Sequence, residues 1–354
     1  MASNHVVAQA PDSPSTGLPW LRNAAFDGLF LYGIFFMAVA TGLVVMVEPR
    51  LFYPILAIDL WLLGYHHVIA TYTRLFFDKE SYREHRLLIV ALFPAVVAIT
   101  GLIAWKVGLW AIVTIYFYWQ WWHYTRQSWG VSRVYRAKDR GAAYDDGWLD
   151  QAIFYALPVL GILHRSNQKQ PNFIGLEVAY VPVADIVVQV AAAAAAVLVA
   201  IWIWRRIQAA REGRLALLHT AYMVIHFSIF WIGYVAIDDI SVGWLVVNMW
   251  HNAQYILFVW MFNNRRFNKG VDPASPLLSY ISQNGRLWMY LASCLAITAV
   301  IYWGLIRSID WLFFAGLSAT IVIFQIINFH HYVVDSLIWK VRKAPLQKTL
   351  GLSS

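Results

Sequence analysis

Histidine stands beside tryptophan, tyrosine or a second histidine inside four separate apolar stretches. These are GYHHVIATYTR with His66 and His67, YWQWWHYTRQSWG with His123, VVNMWHNAQYILF with His251, and INFHHYVVDSLIWK with His330 and His331. Hydrocarbon offers an imidazole no low-cost place, so histidines recurring in four such stretches point to a shared ligand, and a metal ion suits them best. Adjacent residues on a helix project about 100° apart, so His66 and His67 do not face one point together, and neither do His330 and His331. One member of each doublet is expected to ligate, leaving the other for a second metal, a carboxylate or substrate. The candidate ligands are therefore His66, His67, His123, His251, His330 and His331, with His67, His123, His251 and His330 as the leading set.

Polar companions follow these histidines at close to helical spacing. Thr71 comes four residues after His67, Gln127 four after His123, Tyr255 four after His251, and Asp335 five after His330. Such groups hold an imidazole in one tautomer by accepting the hydrogen of its distal nitrogen. Arg126, inside a span, needs an acidic residue, a carbonyl or an anionic substrate group as partner. Asp335, Arg126, Gln127 and Tyr255 are the candidate catalytic residues. Tyr118, Trp119, Trp121, Trp122 and Tyr124 around His123 suit a cavity lining as well as a lipid boundary. His219 and His226 read as hydrogen-bonded packing residues, His5, His85 and His164 as solvated ones, and Cys294 as buried filler.

Imidazole without thiolate points away from iron–sulfur clusters and cysteine-rich zinc sites, and leaves iron, copper, zinc or nickel. Non-haem ferrous iron in an apolar cavity keeps positions open for dioxygen and a lipid-soluble substrate, so an oxygenase is the leading expectation, with copper as another metal. Two other readings use the same histidines. Axial ligation of haem predicts a membrane electron carrier. A histidine-lined path with Arg126 predicts a transporter, although intramembrane carboxylates are scarce, with Asp59, Asp185 and Asp335 the main ones and Asp27, Asp150 and Asp310 near span ends.

The elements that must position these groups are transmembrane helices. With 60% hydrophobic and 13% charged residues, the 354-residue chain has about half the charge of a soluble domain. Ten segments are apolar enough to cross a bilayer: 24–47, 51–73, 86–105, 108–131, 149–164, 181–204, 215–236, 240–262, 287–306 and 309–335, the fifth short and holding Pro158. Lysine and arginine divide 21 to 5 between alternate sides of that arrangement, with Arg126 in a span, so both termini are expected in the cytoplasm. The fold expected is an all-α polytopic bundle of about ten spans, in a bacterial inner membrane. Residues 1–23 form a polar cytoplasmic segment with no cleaved signal, 24–336 the transmembrane domain, and 337–354 a basic tail. The connections 132–148, 164–180 and 263–286 read as loops, the last as a cytoplasmic flap. The net charge of +8 lies in short loops beside apolar helices, which fits topology and anionic lipids and not nucleic acid. A lipid-soluble small molecule, dioxygen and membrane lipids are the expected partners.

The order of these motifs resembles that of the Brp/Blh-type β-carotene 15,15′-dioxygenase family, which are small multi-span proteins with four histidine-bearing helices. His67 with Thr71 in HHVIAT is similar to that family's first motif, His123 in WHYTRQS to the second, His251 in WHNAQY to the third, and His330 with Asp335 in HHYVVD to the last. The likeness covers roughly residues 60–336, with separations of 56, 128 and 79 residues between successive histidines. Thr71 and Ser128 stand where the family has aspartate, His66 and Phe329 stand where it has proline, and the expected spans are more numerous. The resemblance implies a non-haem iron dioxygenase cleaving a conjugated polyene. The residues themselves imply metal-dependent oxidation of a hydrophobic molecule. The spaced HxxxH and HxxHH boxes of membrane desaturases are absent.

Overall fold

The computed structural model describes residues 18–139, 147–305, 307–308 and 316–352. The segment 1–17 with His5, the loop residues 140–146 and the stretch 309–315 with Asp310 lie outside the described residues. Helices lie on all ten expected segments: α1 Ala24–Val47, α2 Pro49–Phe76, α3 Lys79–Lys106, α4 Leu109–Lys138, α5 Gly147–Gln168, α6 Asp185–Arg211, α7 Leu217–Ala236, α8 Ile240–Arg266, α10 Leu287–Trp303 and α11 Gly316–Ile338. Two short helices, α9 Pro276–Ile281 and α12 Ala344–Leu350, are also present among the described residues. By length and composition α1, α2, α3, α6, α7 and most of α11 are apolar enough to cross a membrane. The apolar faces they leave open, such as Val90, Ile99, Leu102 and Trp105 on α3, are those of a protein solvated by lipid.

Elementary rules account for the ends of these helices. Asn23, Asp78 and Asp239 cap α1, α3 and α8 by accepting backbone N–H groups of the first turn. Ile174 and Gly175, both at positive φ, make a two-residue turn between β1 Asn172–Phe173 and β2 Leu176–Glu177, a hairpin within the expected loop 164–180. Phe173 from that hairpin packs edge-on against Trp244 at the start of α8. The expected loop 132–148 is shorter than the sequence implied, because α4 continues as helix to Lys138.

Pro158 does not break α5. A proline has no N–H for the carbonyl four residues before it, which here is that of Phe154. His226 Nε2 on α7 donates to this oxygen at 3.0 Å, while its Nδ1 accepts from Ser128 Oγ at 3.0 Å. His226 is thus the packing residue expected, and its role is to supply the missing donor. His219, bonded through Nε2 to Ser132 Oγ at 3.1 Å, is similar.

Helix α8 is buried along almost its whole length, between α1, α2 and α7. Its close approaches need glycine. A Cβ on Gly243 would sit 2.0 Å from the Gly233 carbonyl oxygen, and one on Gly42 would sit 2.4 Å from Val246 Cγ2. Helix α11 packs against α2, α3 and α4. Helices α2, α4, α8 and α11, which carry His67, His123, His251 and His331, therefore meet in the interior, with α1, α3, α5, α6, α7 and α10 outside them.

Candidate metal centre

Helix α2 contains a wide π-helical turn at Leu60–Gly64. In a regular helix Asp59 and His67, eight residues apart, would project about 80° apart; the extra residue of a wide turn brings them to within about 20°. Both then face α8. Asp59 Oδ2 accepts from Asn248 Nδ2 at 2.6 Å, and the His67 ring lies 4.7 Å from that of His251, three residues after Asn248.

Two layers form where the helices meet. In the first, His67, His123, His251 and His331 lie with ring centroids 4.6 Å (His67–His331), 4.7 Å (His67–His251), 5.0 Å (His123–His331), 5.1 Å (His123–His251) and 6.1 Å (His67–His123) apart. In the second, one turn further along α2, α8 and α11, Thr71 Oγ1 and Tyr255 Oη donate to Asp335 Oδ1 at 2.9 and 2.7 Å. Because each histidine precedes its companion by one turn and like meets like in both layers, these three helices run parallel here. Trp339 Nε1 donates to Tyr255 Oη at 2.7 Å and closes the second layer.

The carboxylate of Asp335 is divided in its roles. Its Oδ1 is saturated by hydroxyl donors, whereas Oδ2 is buried, 3.6 Å from His331 Nε2, with no hydrogen-bond partner among the described residues. Each of His67, His123, His331 and Asp335 offers one ligand-type atom such that all four lie within 4.8 Å of one another. His67 and His331 approach to 2.7 Å between their Nε2 atoms. His67 Nδ1, His123 Nε2, His251 Nε2 and His331 Nδ1 are also buried without a hydrogen-bond partner among the described residues. Leaving one buried polar atom unpaired costs about 1–3 kcal/mol, and five together are hard to reconcile with a purely structural role. A mixed imidazole and carboxylate set of this kind could hold a divalent first-row ion.

Not every residue singled out in the sequence is in this group. His330 faces the other way: Nε2 donates to the Leu88 carbonyl at 2.7 Å, where a wide turn of α3 interrupts the regular ladder, and Nδ1 meets Tyr72 Oη at 2.7 Å. Both its ring nitrogens are engaged, and His331 occupies the position expected of it. The stripe His331, Asp335, Trp339 has the four-residue period of one helix face, which the five-residue interval from His330 lacks. His66 Nδ1 donates to the Leu62 carbonyl at 3.2 Å, and the residue lies outside the four-residue group. Arg126 is exposed, donating to Tyr155 Oη at 2.8 Å and resting near Trp122. Gln127 keeps its Oε1 buried, with no hydrogen-bond partner among the described residues, and does not join the group.

Residues not singled out as site residues complete the surroundings. Tyr332 stacks on His123 at 4.3 Å and Tyr124 lies 4.2 Å from His251. Tyr124 Oη donates to Asn248 Oδ1 at 2.5 Å, and Asn248 in turn donates to Asp59, so a second buried polar chain adjoins the rings. Asp185 is instead at the start of α6, accepting from Asn167. The chain matches no protein-family model, no curated protein and no solved structure.

Proposed function

We propose that this protein is an integral-membrane metal enzyme, a non-haem iron oxygenase acting on a lipid or an isoprenoid or carotenoid-like substrate with dioxygen. The observation that carries this reading is the convergence of His67, His123, His331 and Asp335 in the apolar interior, with ligand-type atoms left unpaired by the protein. His251, whose ring adjoins two of these, serves as a fifth ligand or holds the others in place. Ferrous iron held there would supply a redox couple able to engage dioxygen. The residues do the remaining work. Thr71, Tyr255 and Trp339 fix the Asp335 carboxylate so that Oδ2 faces the rings. Tyr332 and Tyr124 wall two rings and keep bulk water from the centre. The open apolar flanks of the outer helices suit delivery of a substrate dissolved in lipid.

The resemblance to Brp/Blh-type dioxygenases supports a conjugated polyene as substrate, with His331 in the place that the motif assigned to His330. A haem carrier is less well supported, because four imidazoles packed within 4.6 to 6.1 Å of their neighbours leave no flat slot for a porphyrin. The distribution of lysine and arginine supports ten spans with both termini in the cytoplasm of a bacterium.

The test is metal analysis of protein purified in detergent, followed by dioxygen consumption with β-carotene and with an unsaturated fatty acid. About one iron per chain, lost together with activity on H67A, H123A or H331A, is the expected result. Full activity after exhaustive chelation would refute the reading.

A further inference from the structure

Arg74 lies on α2 three residues beyond Thr71, where its side chain is only 5% exposed. Its Nε and Nη1 have no hydrogen-bond partner among the described residues. A buried guanidinium is costly in a membrane protein unless it has a task, since a methionine would pack the same volume without the penalty. The nearest obvious solution is not used. Asp78, four residues on, caps α3 through Oδ1 and pairs with Arg266. Instead the guanidinium lies over the rings of Trp339 at 4.1 Å and Phe262 at 4.7 Å. Trp339 is the residue that donates to Tyr255, and Tyr255 donates to Asp335. A continuous chain of contacts thus runs from a permanent cation to the carboxylate of the proposed centre.

The geometry points to Arg74 as a positioning residue of that centre. It presses Trp339 into the orientation that holds Tyr255 and Asp335, and it adds a fixed positive charge that opposes a rise in the charge of the bound ion. Arginine stays protonated under all working conditions, so the effect does not vary with pH. Through partly screened interior, one unit charge alters the relative stability of two oxidation states by about tenfold. This inference rests on the metal-centre reading above.

The experiment is a redox titration of the full-length protein loaded with ferrous iron, comparing wild type with R74Q, R74M and R74K. Loss of the charge in R74Q or R74M is expected to favour ferric over ferrous iron about tenfold, a fall in midpoint potential of about 59 mV. R74K keeps the charge and is expected to stay near the wild-type potential. Iron bound at the wild-type potential in both neutral variants would overturn the role of Arg74 and leave the metal centre standing. A wild-type protein that binds no iron would overturn both. A purely packing role predicts that R74M equals wild type and R74K departs from it, so the order of the variants also decides. Should the neutral variants not accumulate, W339F is the second probe. It keeps Arg74 and its charge and removes the donor to Tyr255, so the potential is expected to hold while iron affinity falls about 10- to 100-fold, and an unchanged iron affinity would overturn the positioning role.

Discussion

At the scale of single residues, the two members of each histidine doublet have different duties. H331A is expected to abolish retention of metal after dialysis against a chelator, whereas H330A keeps it, since both nitrogens of His330 are already bonded to Leu88 and Tyr72. Equal losses in the two variants would contradict the geometry. The groups behind Asp335 matter through orientation alone. T71V or Y255F leaves every proposed ligand in place and removes one donor to Oδ1, so metal affinity should fall about 10- to 100-fold by competition with a chelator. The histidine set was legible in the sequence because imidazole in hydrocarbon is anomalous wherever it appears. The choice between His330 and His331 was also legible, in the four-residue stripe through Asp335 and Trp339, but an interval counted from the first histidine of the pair hid it. Arg74 falls one residue beyond the expected span 51–73 and so counts among the loop charges; its burial depends on where α8 and the chain after α11 place Phe262 and Trp339.

At the scale of helices, the positioning devices are irregularities. The wide turn at Leu60–Gly64 sets the phase between Asp59 and His67, so removing one residue from it rotates one of them away from α8. No apolar run of Leu, Trp, Leu, Leu and Gly announces such a turn, and the sequence therefore could not give the rotation of α2. The continuity of α5 through Pro158 was similarly hidden, because it needs a donor from α7. A double-mutant cycle tests this arrangement by chemical or thermal unfolding in detergent. H226L is expected to cost about 1–3 kcal/mol in wild type and clearly less beside P158A, where a restored N–H serves the Phe154 carbonyl. Additive losses would show that His226 and Pro158 are unrelated. The crossing of α7 and α8 tolerates no side chain: G243A should destabilise by about 1–3 kcal/mol or more, measured in the same way, because the added methyl meets a carbonyl and not a movable side chain.

For the whole molecule, the sequence conveyed helical class and the order of helices well, since apolar length is a direct record of bilayer thickness. What it could not convey was which helix lies at the centre. Helix α8 is buried by its neighbours on all sides, yet its Asn, Gln, His and Trp content makes it look less apolar than lipid-facing α3 and α6. The paradox has a simple cause: the interior of this bundle is where polar groups find partners, and its rim is where only hydrocarbon is available. The orientation proposed from charge can be checked with reporters fused after residues 22, 212 and 352, all of which should report the cytoplasm, and after residue 170, which should report the other side.

The pairing of His67 with His331 spans 264 positions of the chain. A nascent polypeptide halted before α11 owns three of the imidazoles and no Asp335, so it has nothing with which to complete the cage. On the reading proposed above, a product truncated before α11 would be recognisable as an apoprotein, and ion uptake would double as a check that α11 has docked.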